Sequence, residues 1–368
     1  MKIAIFVPYL QGGGVGKMMS RVALHLREHG YDVDLVVGSL RKQEVFPDPN
    51  KARIIDLRAE RFIPMFLRFF HYRVTQKPEL IFTATSLPNM VAVLTTILGF
   101  FPRSSTIISE REVRGPVMGW NASLRSRIFR ELSRFCYRRA NKIIAVSHGV
   151  RDMLISRAGL RGDQIRVVYN PVVDDSIVTK STEPVNEPWL ADKSVPVVLA
   201  VGRLSREKGF DTLIEAMCIL NTRRECRLVI LGEGKLREEL AALVSAKGMD
   251  ALVRFLGFRE NPYAYMSKAN VFVLPSVHEG FGNVLVEALA CGAPVVSTDC
   301  PSGPSEILEE GKYGPLVPVG DANAMAAAIE KQLTTPKPAE LLRQRAQKFS
   351  AEAAFEAYRK LAQAGLQT

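Results

Sequence analysis

The chain has 368 residues, 47% of them hydrophobic, and a formal net charge of +11. The length favours two domains, each large enough for its own core, and the apolar content is that of a soluble protein. The charge is one-sided: residues 1–175 carry 27 Lys+Arg against 15 Asp+Glu, the remainder 22 against 23. A basic N-terminal half implies an acidic partner, whether nucleic acid, anionic lipid or a phosphorylated substrate.

The start, Met1 to Pro8, does not read as a signal peptide, because its short apolar run turns straight into Gln11-Gly-Gly-Gly. Lys2–Val7 is a strand, Gly12–Gly16 a turn and Lys17–His29 a helix. Val33–Val37, Leu80–Thr85, Thr106–Ser109, Lys142–Val146 and Ile165–Tyr169 are further strands, with helices over Pro88–Leu98 and Ser123–Ala140. The stretch Met90 to Phe101 is the longest apolar run and is too short to span a bilayer. Residues 173–194 are polar and read as a linker. The alternation restarts at Val197–Val201 and continues through Arg227–Leu231, Val253–Phe255, Val271–Leu274 and Pro294–Ser297, with helices between. Two doubly wound α/β domains are therefore expected, over 1–172 and 195–351, facing across a cleft with ligand at the carboxyl ends of the strands. The five cysteines are scattered and lack Cys-x-x-Cys spacing, which argues for a reducing cytoplasm and against a metal site.

Three constellations point to chemistry. In Pro275-Ser-Val-His-Glu279-Gly-Phe-Gly-Asn283-Val-Leu-Val-Glu287-Ala288 a strand enters a tight glycine turn that opens a helix. Backbone N–H groups and the positive helix end then converge where an anion belongs. Glu279 and Glu287 add acceptor-only carboxylates, which suits a ligand with phosphate and many hydroxyls, such as a nucleotide sugar. Gly202-Arg203-Leu-Ser-Arg206-Glu-Lys208-Gly209 places cations at a second strand end, where arginine can grip a diphosphate with two parallel hydrogen bonds. Gly12-Gly13-Gly14-Val15-Gly16-Lys17 is neither a P-loop nor Gly-x-Gly-x-x-Gly, and reads as a turn that brings backbone close to a ligand.

These segments occur in one order with Leu231-Gly-Glu-Gly, Leu256-Gly-Phe, Cys291-Gly-Ala-Pro-Val-Val and Gly314 to Asp321. The series resembles the retaining glycosyltransferases of family 4, which have the two-domain GT-B fold. The N-terminal half resembles them mainly through its glycine-rich loop and Val168-Tyr-Asn-Pro171. The resemblance implies that Arg203 and Lys208 hold the donor diphosphate and stabilise the leaving nucleotide. It implies that Glu279 holds the donor sugar, Gly280, Phe281, Gly282 and Asn283 line it, and Glu287 binds the ribose. It further implies a UDP-sugar donor, no cofactor and no metal, and a last helix (about 352–368) that returns to the N-terminal domain. Many members have a histidine after the strand that here ends Glu110-Arg111, so Glu110 and Arg111 join Gly13 and Gly14 on the expected acceptor or phosphate side.

Two N-terminal helices fit an interface. Arg58 to Val74 interleaves aromatic and aliphatic residues with arginines, as an interfacial membrane helix or a core helix with a basic edge would. In Ser123 to Lys142, Leu124, Ile128, Leu132 and Phe135 share one side, and Arg127, Arg130, Arg134 and Arg138 form a separate stripe. Aligned arginines suit phosphates, either of a polyprenyl-diphosphate-linked acceptor or of anionic headgroups. The expected function is hexose or N-acetylhexosamine transfer to a membrane-associated glycan, by an enzyme peripheral to the inner face of the cytoplasmic membrane. The alternatives are a GT-B sugar-nucleotide epimerase and a basic nucleic-acid-binding protein. The second lacks any helix-turn-helix or aromatic RNA motif, so no nucleic-acid partner is expected.

Overall fold

A computed structural model describes residues 1–10, 14–40, 53–99, 104–111, 124–192 and 194–364. The chain divides into two compact units, Met1–Asn170 with Glu352–Thr368, and Pro171–Ala351. The first unit contains β1 (Lys2–Val7), α1 (Gly14–Glu28), β2 (Asp32–Val37), β3 (Arg53–Asp56), α2 (Phe62–Gln76), β4 (Leu80–Ala84), α3 (Ser86–Leu98), β5 (Ser105–Glu110), α4 (Leu124–Arg139), β6 (Lys142–Ala145), α5 (His148–Ala158) and β7 (Ile165–Val167). The second contains α6 (Asp175–Ser181), α7 (Pro188–Ala191), β8 (Val197–Val201), α8 (Phe210–Asn221), β9 (Arg227–Leu231), α9 (Arg237–Ala246), β10 (Val253–Gly257), α10 (Tyr263–Met266), β11 (Val271–Leu274), α11 (Asn283–Ala290), β12 (Val295–Thr298), α12 (Pro304–Ile307), β13 (Leu316–Val317), α13 (Ala322–Thr334) and α14 (Ala339–Gln347). The last helix, α15 (Ala351–Ala364), belongs to the first unit from Glu352 onward.

Both sheets are parallel, ordered β3-β2-β1-β4-β5-β6-β7 and β10-β9-β8-β11-β12-β13. Their central strands are apolar on both faces because helices cover both. In β1 the side chains alternate. Ile3, Ile5 and Val7 pack under α1 and α15, with Met19, Leu26, Tyr358 and Ala362. Ala4 and Phe6 point the other way, onto Met65, Phe69 and Val91, and the Phe6 and Phe69 rings stack at 4.2 Å. The order reverses between β1 and β4 in one sheet and between β8 and β11 in the other. These are the topological switch points, where ligands bind in such folds.

Two expectations are corrected. Residues 173–194 are not a free linker but part of the second unit. Their polar groups cap helices and bridge loops: Asp174 caps α6 through Ser176 N, and Glu187 caps α7 and pairs with Arg254 at 2.6 Å. Asn261 Nδ2 and Ser267 Oγ donate to the carbonyls of Lys180 and Ser181 at 2.9 and 2.6 Å. The glycine-rich turn also ends sooner than expected, because Gly14 already opens α1. Gly16 is helical, and a Cβ there would stand 2.4 Å from the Tyr9 carbonyl, so this glycine serves close packing of the helix on the loop after β1. Gly13 lies outside the described residues.

Candidate active site

The second unit assembles its polar groups at the β8/β11 switch point. The loop after β8 holds Arg203 and Lys208, and the loop after β11 holds Glu279. Lys208 Nζ donates to Glu279 Oε1 at 2.5 Å, with side chains 23% and 11% exposed. Ser276 Oγ donates to the same oxygen at 2.7 Å. Ser276 is itself buried, and its carbonyl accepts from Thr298 Oγ1 on β12. One carboxylate is thus held from two sides on a rigid support.

The loop after β8 is tied through backbone to the loop after β11 and to the end of β9. Val277 N donates to Glu207 O at 2.9 Å, Gly202 N to Leu231 O at 2.9 Å, and Leu204 N to Glu233 O at 3.0 Å. Gly209 has φ +61, and a Cβ there would stand 2.1 Å from Pro275 O. Only glycine lets the two loops lie this close. Gly282, at φ 99, caps α11 without a side-chain acceptor, and Ser302 Oγ holds the Gly280 carbonyl at 2.8 Å. Phe281 is buried against Phe349, ring centroids 5.4 Å apart. Asn283 is exposed at the first turn of α11, Glu287 is half-buried in its second, and Arg203 is exposed beside the loop. The switch point therefore presents cations, a positioned carboxylate and a helix N-terminus, which together can hold a phosphate-bearing, hydroxyl-rich ligand.

Two family models divide the chain between them. "Glycosyl transferases group 1" matches residues 182–349, and "Glycosyltransferase Family 4" matches residues 12–176. The chain belongs to the family 4 glycosyltransferases. A relative 29% identical over 346 residues, covering 91% of each chain, is the N-acetylgalactosamine-N,N'-diacetylbacillosaminyl-diphospho-undecaprenol 4-alpha-N-acetylgalactosaminyltransferase of Campylobacter jejuni. Another, 33% identical over 61% of this chain and 65% of its own, is the lipopolysaccharide core biosynthesis glycosyltransferase LpsE of Rhizobium meliloti. Among solved structures, Anabaena HepE in complex with UDP superposes with a TM-score of 0.81 at 20% identity, covering 99% of this chain and 100% of its own, and shares the GT-B fold.

In the first unit of this glycosyltransferase the expected acceptor-side groups are engaged internally. Glu110, the buried last residue of β5, accepts from Tyr137 Oη at 2.5 Å and from Arg111 N at 2.9 Å. Burial and this carboxylate push the Tyr137 phenol well above its ordinary range. Arg111 donates to Asn170 Oδ1 at 2.7 Å and Tyr358 Oη at 3.0 Å. It ties the ends of the first unit's two segments together. The α4 arginines do not form a bare cationic stripe: Glu131 sits among them and pairs with Arg130 and Arg134 at 3.1 and 3.0 Å. Arg127 and Arg138 are exposed. Sequence reasoning passed over Ser276, because a lone serine carries no pattern. It also passed over Thr85, whose φ of 78 and ψ of 154 at the end of β4 are unusual for any residue but glycine.

Proposed function

We propose that this glycosyltransferase moves a hexose or N-acetylhexosamine, with retention, from a UDP-sugar to a glycan carried on a lipid diphosphate at the inner face of the cytoplasmic membrane. The observation that carries this reading is the Lys208–Glu279 pair at the second sheet's switch point. Without donor the two charges satisfy each other. A donor diphosphate competes for Lys208 and, with Arg203, is neutralised by cations and by backbone at Gly280 to Gly282. Glu279, kept in place by Ser276, then turns its free oxygen capacity to sugar hydroxyls, and Glu287 to the ribose. The bond from the anomeric carbon to the diphosphate oxygen breaks with its electron pair on that oxygen. The acceptor hydroxyl bonds to the same face, and its proton passes to the departing diphosphate. Stabilising charge on the leaving group is the main task, and cations perform it here without metal.

The UDP-bound HepE structure and the undecaprenol-linked substrate in the Campylobacter relative's name support the donor and acceptor classes. Arg127, Arg130, Arg134 and Arg138 serve anionic groups of the acceptor or its membrane. The test is turnover, by release of UDP, with Lys208→Ala and Glu279→Ala. Each loses about 10²–10³-fold while remaining folded, and wild-type turnover persists in EDTA. Unchanged turnover in either variant would sink the site, and activity lost in EDTA but restored by Mn²⁺ would remove metal independence.

A further inference from the structure

Beside the α4 arginines, the helical layer α2–α3–α4 carries an outer apolar line that has no part in the proposed transfer. A helix laid on a sheet buries one stripe and normally shows polar residues on the other. The first of these helices buries Met65, Phe69, Tyr72 and Arg73, yet its opposite line is Ile63, Leu67 and Val74. The third buries Ser133, Cys136 and Tyr137, and its outer line shows Ile128 and Phe135. Leu98 is exposed at the end of the helix between them. These six are 43–68% exposed, and among the described residues they are all the exposed large hydrophobics of the first unit.

The charge around this ridge is mostly positive. Arg68, Arg127, Arg130, Arg134, Arg138 and Arg139 are exposed or half-buried on these helices, against one carboxylate, Glu131. A cavity of about 430 Å³ opens at the edge of the ridge, lined by Leu67 together with Asp56, Arg58, Arg68 and His71. A second copy of the chain would set arginines against arginines in an isologous contact. Nucleic acid would pair with the arginines but leave the apolar line in water. A bilayer with anionic headgroups satisfies both, with apolar side chains roughly 5–10 Å deep and arginines at the phosphates.

We propose that the α2–α3–α4 face inserts shallowly into an anionic phospholipid bilayer, led by Ile63, Leu67, Ile128 and Phe135. This rests on the reading of a membrane-borne acceptor and names the surface that meets the membrane. Full-length protein is floated with vesicles of phosphatidylcholine alone or with added phosphatidylglycerol. Binding is expected only to the anionic vesicles. Arg127→Ser lowers it about fivefold, the equivalent of ~1 kcal/mol, an effect that shrinks in about 0.5 M NaCl, where exposed charges are screened. The triple variant Ile63→Ser, Leu67→Ser, Phe135→Ser binds at least tenfold more weakly at both salt concentrations, with donor-dependent transfer to a water-soluble acceptor analogue unchanged. Leu67→Trp gives a blue-shifted emission on adding anionic vesicles, which reads insertion should the triple variant misfold. Wild type that ignores anionic vesicles, a triple variant that binds as wild type does, or emission from the Leu67→Trp variant that anionic vesicles leave unshifted overturns the proposal. So does a wild-type dimer abolished by the triple variant, since a second copy would then cover the face. Failure here with transfer intact leaves the transferase reading standing, whereas loss of transfer to the soluble analogue in wild type strikes that reading instead.

Discussion

Gly209→Ala tests whether the spacing of two loops, and not only the groups on them, sets activity. A Cβ at this position would stand 2.1 Å from Pro275 O. A carbon needs about 3.3 Å from a carbonyl oxygen, so the loops must part by about 1 Å. The residue's φ of +61 adds strain of about 1–2 kcal/mol for any L side chain. Lys208 precedes this glycine and Glu279 lies on the other loop, at 2.5 Å, so the displacement falls on the pair. Misplacement of about 1 Å at a reacting centre costs about 10²-fold, and kcat/KM measured by UDP release should fall by that much. Gly248→Ala is the matched control: its φ is +68, but nothing lies within 4 Å of the added carbon. It should lower the melting temperature by about 2–4 °C per kcal/mol of strain and leave turnover alone. If both variants lose only stability and Gly209→Ala turns over like wild type, loop spacing is not what the glycine protects.

Further outcomes follow from other parts of the molecule. Ser276→Ala removes one of two donors to Glu279 Oε1. A hydrogen bond to a charged group is worth about 1.5–3 kcal/mol, so kcat should fall roughly tenfold or more with the protein still folded; equal kcat would show that Lys208 alone orients the carboxylate. Arg111→Met loses the bonds to Asn170 and Tyr358 and should destabilise the first unit by about 1–3 kcal/mol. Its acceptor KM should stay unchanged, and a raised KM at undiminished stability would return Arg111 to the acceptor side. His25 is buried against Phe355 on α15. Burial first, and then the charge of His29, lower its pKa from 6.5, outweighing Glu352, Glu28 and Glu356. The unfolded chain therefore takes up this proton first as pH falls through 6.5. Stability is unaffected above that pH and declines below it until the folded pKa is reached. Thermal unfolding across this window should show a slope that His25→Gln reduces, and an unaltered slope would assign it elsewhere.

The strands were readable because apolar runs buried on both faces leave little choice of structure, as in β1, β4, β8 and β11. The short edge strands β3 and β13 were not, since Arg53–Asp56 and Leu316–Val317 carry too few residues for a period to appear. The loops after β8 and β11, which meet in the Lys208–Glu279 pair, were legible because glycine, lysine and glutamate at fixed offsets have few other uses together. The segment 173–194 misled because polarity looks the same whether side chains face water or cap helices and bridge loops. Side-chain partners across long separations, such as Arg111 with Tyr358 or Ser276 with Glu279, leave no local trace. The apolar line of α4 was visible as Leu124, Ile128, Leu132 and Phe135. What the sequence did not reveal is that the sheet is covered by Ser133, Cys136 and Tyr137 instead, so that Ile128 and Phe135 face outward.

The two sheets reverse at equivalent places, β1/β4 and β8/β11, yet among the described residues only the second has a recognisable set of charges there. At the first, the conspicuous feature is backbone: Thr85 follows β4 with φ 78 and ψ 154, and caps α3 without a side-chain hydrogen bond. That region is open almost only to glycine and costs other residues about 1–3 kcal/mol. A threonine held there aims its hydroxyl and its peptide in a direction that a relaxed turn would not reproduce. Thr85→Gly relieves the strain but gives up about 1 kcal/mol of unfolded-state entropy, so the melting temperature should rise or hold steady. If the strained turn shapes acceptor recognition, KM for the acceptor rises while the KM for the donor, which we propose binds in the other unit, is unmoved. A variant that is more stable and kinetically identical to wild type would show the strain to be incidental, and would remove the β4–α3 turn from the acceptor site.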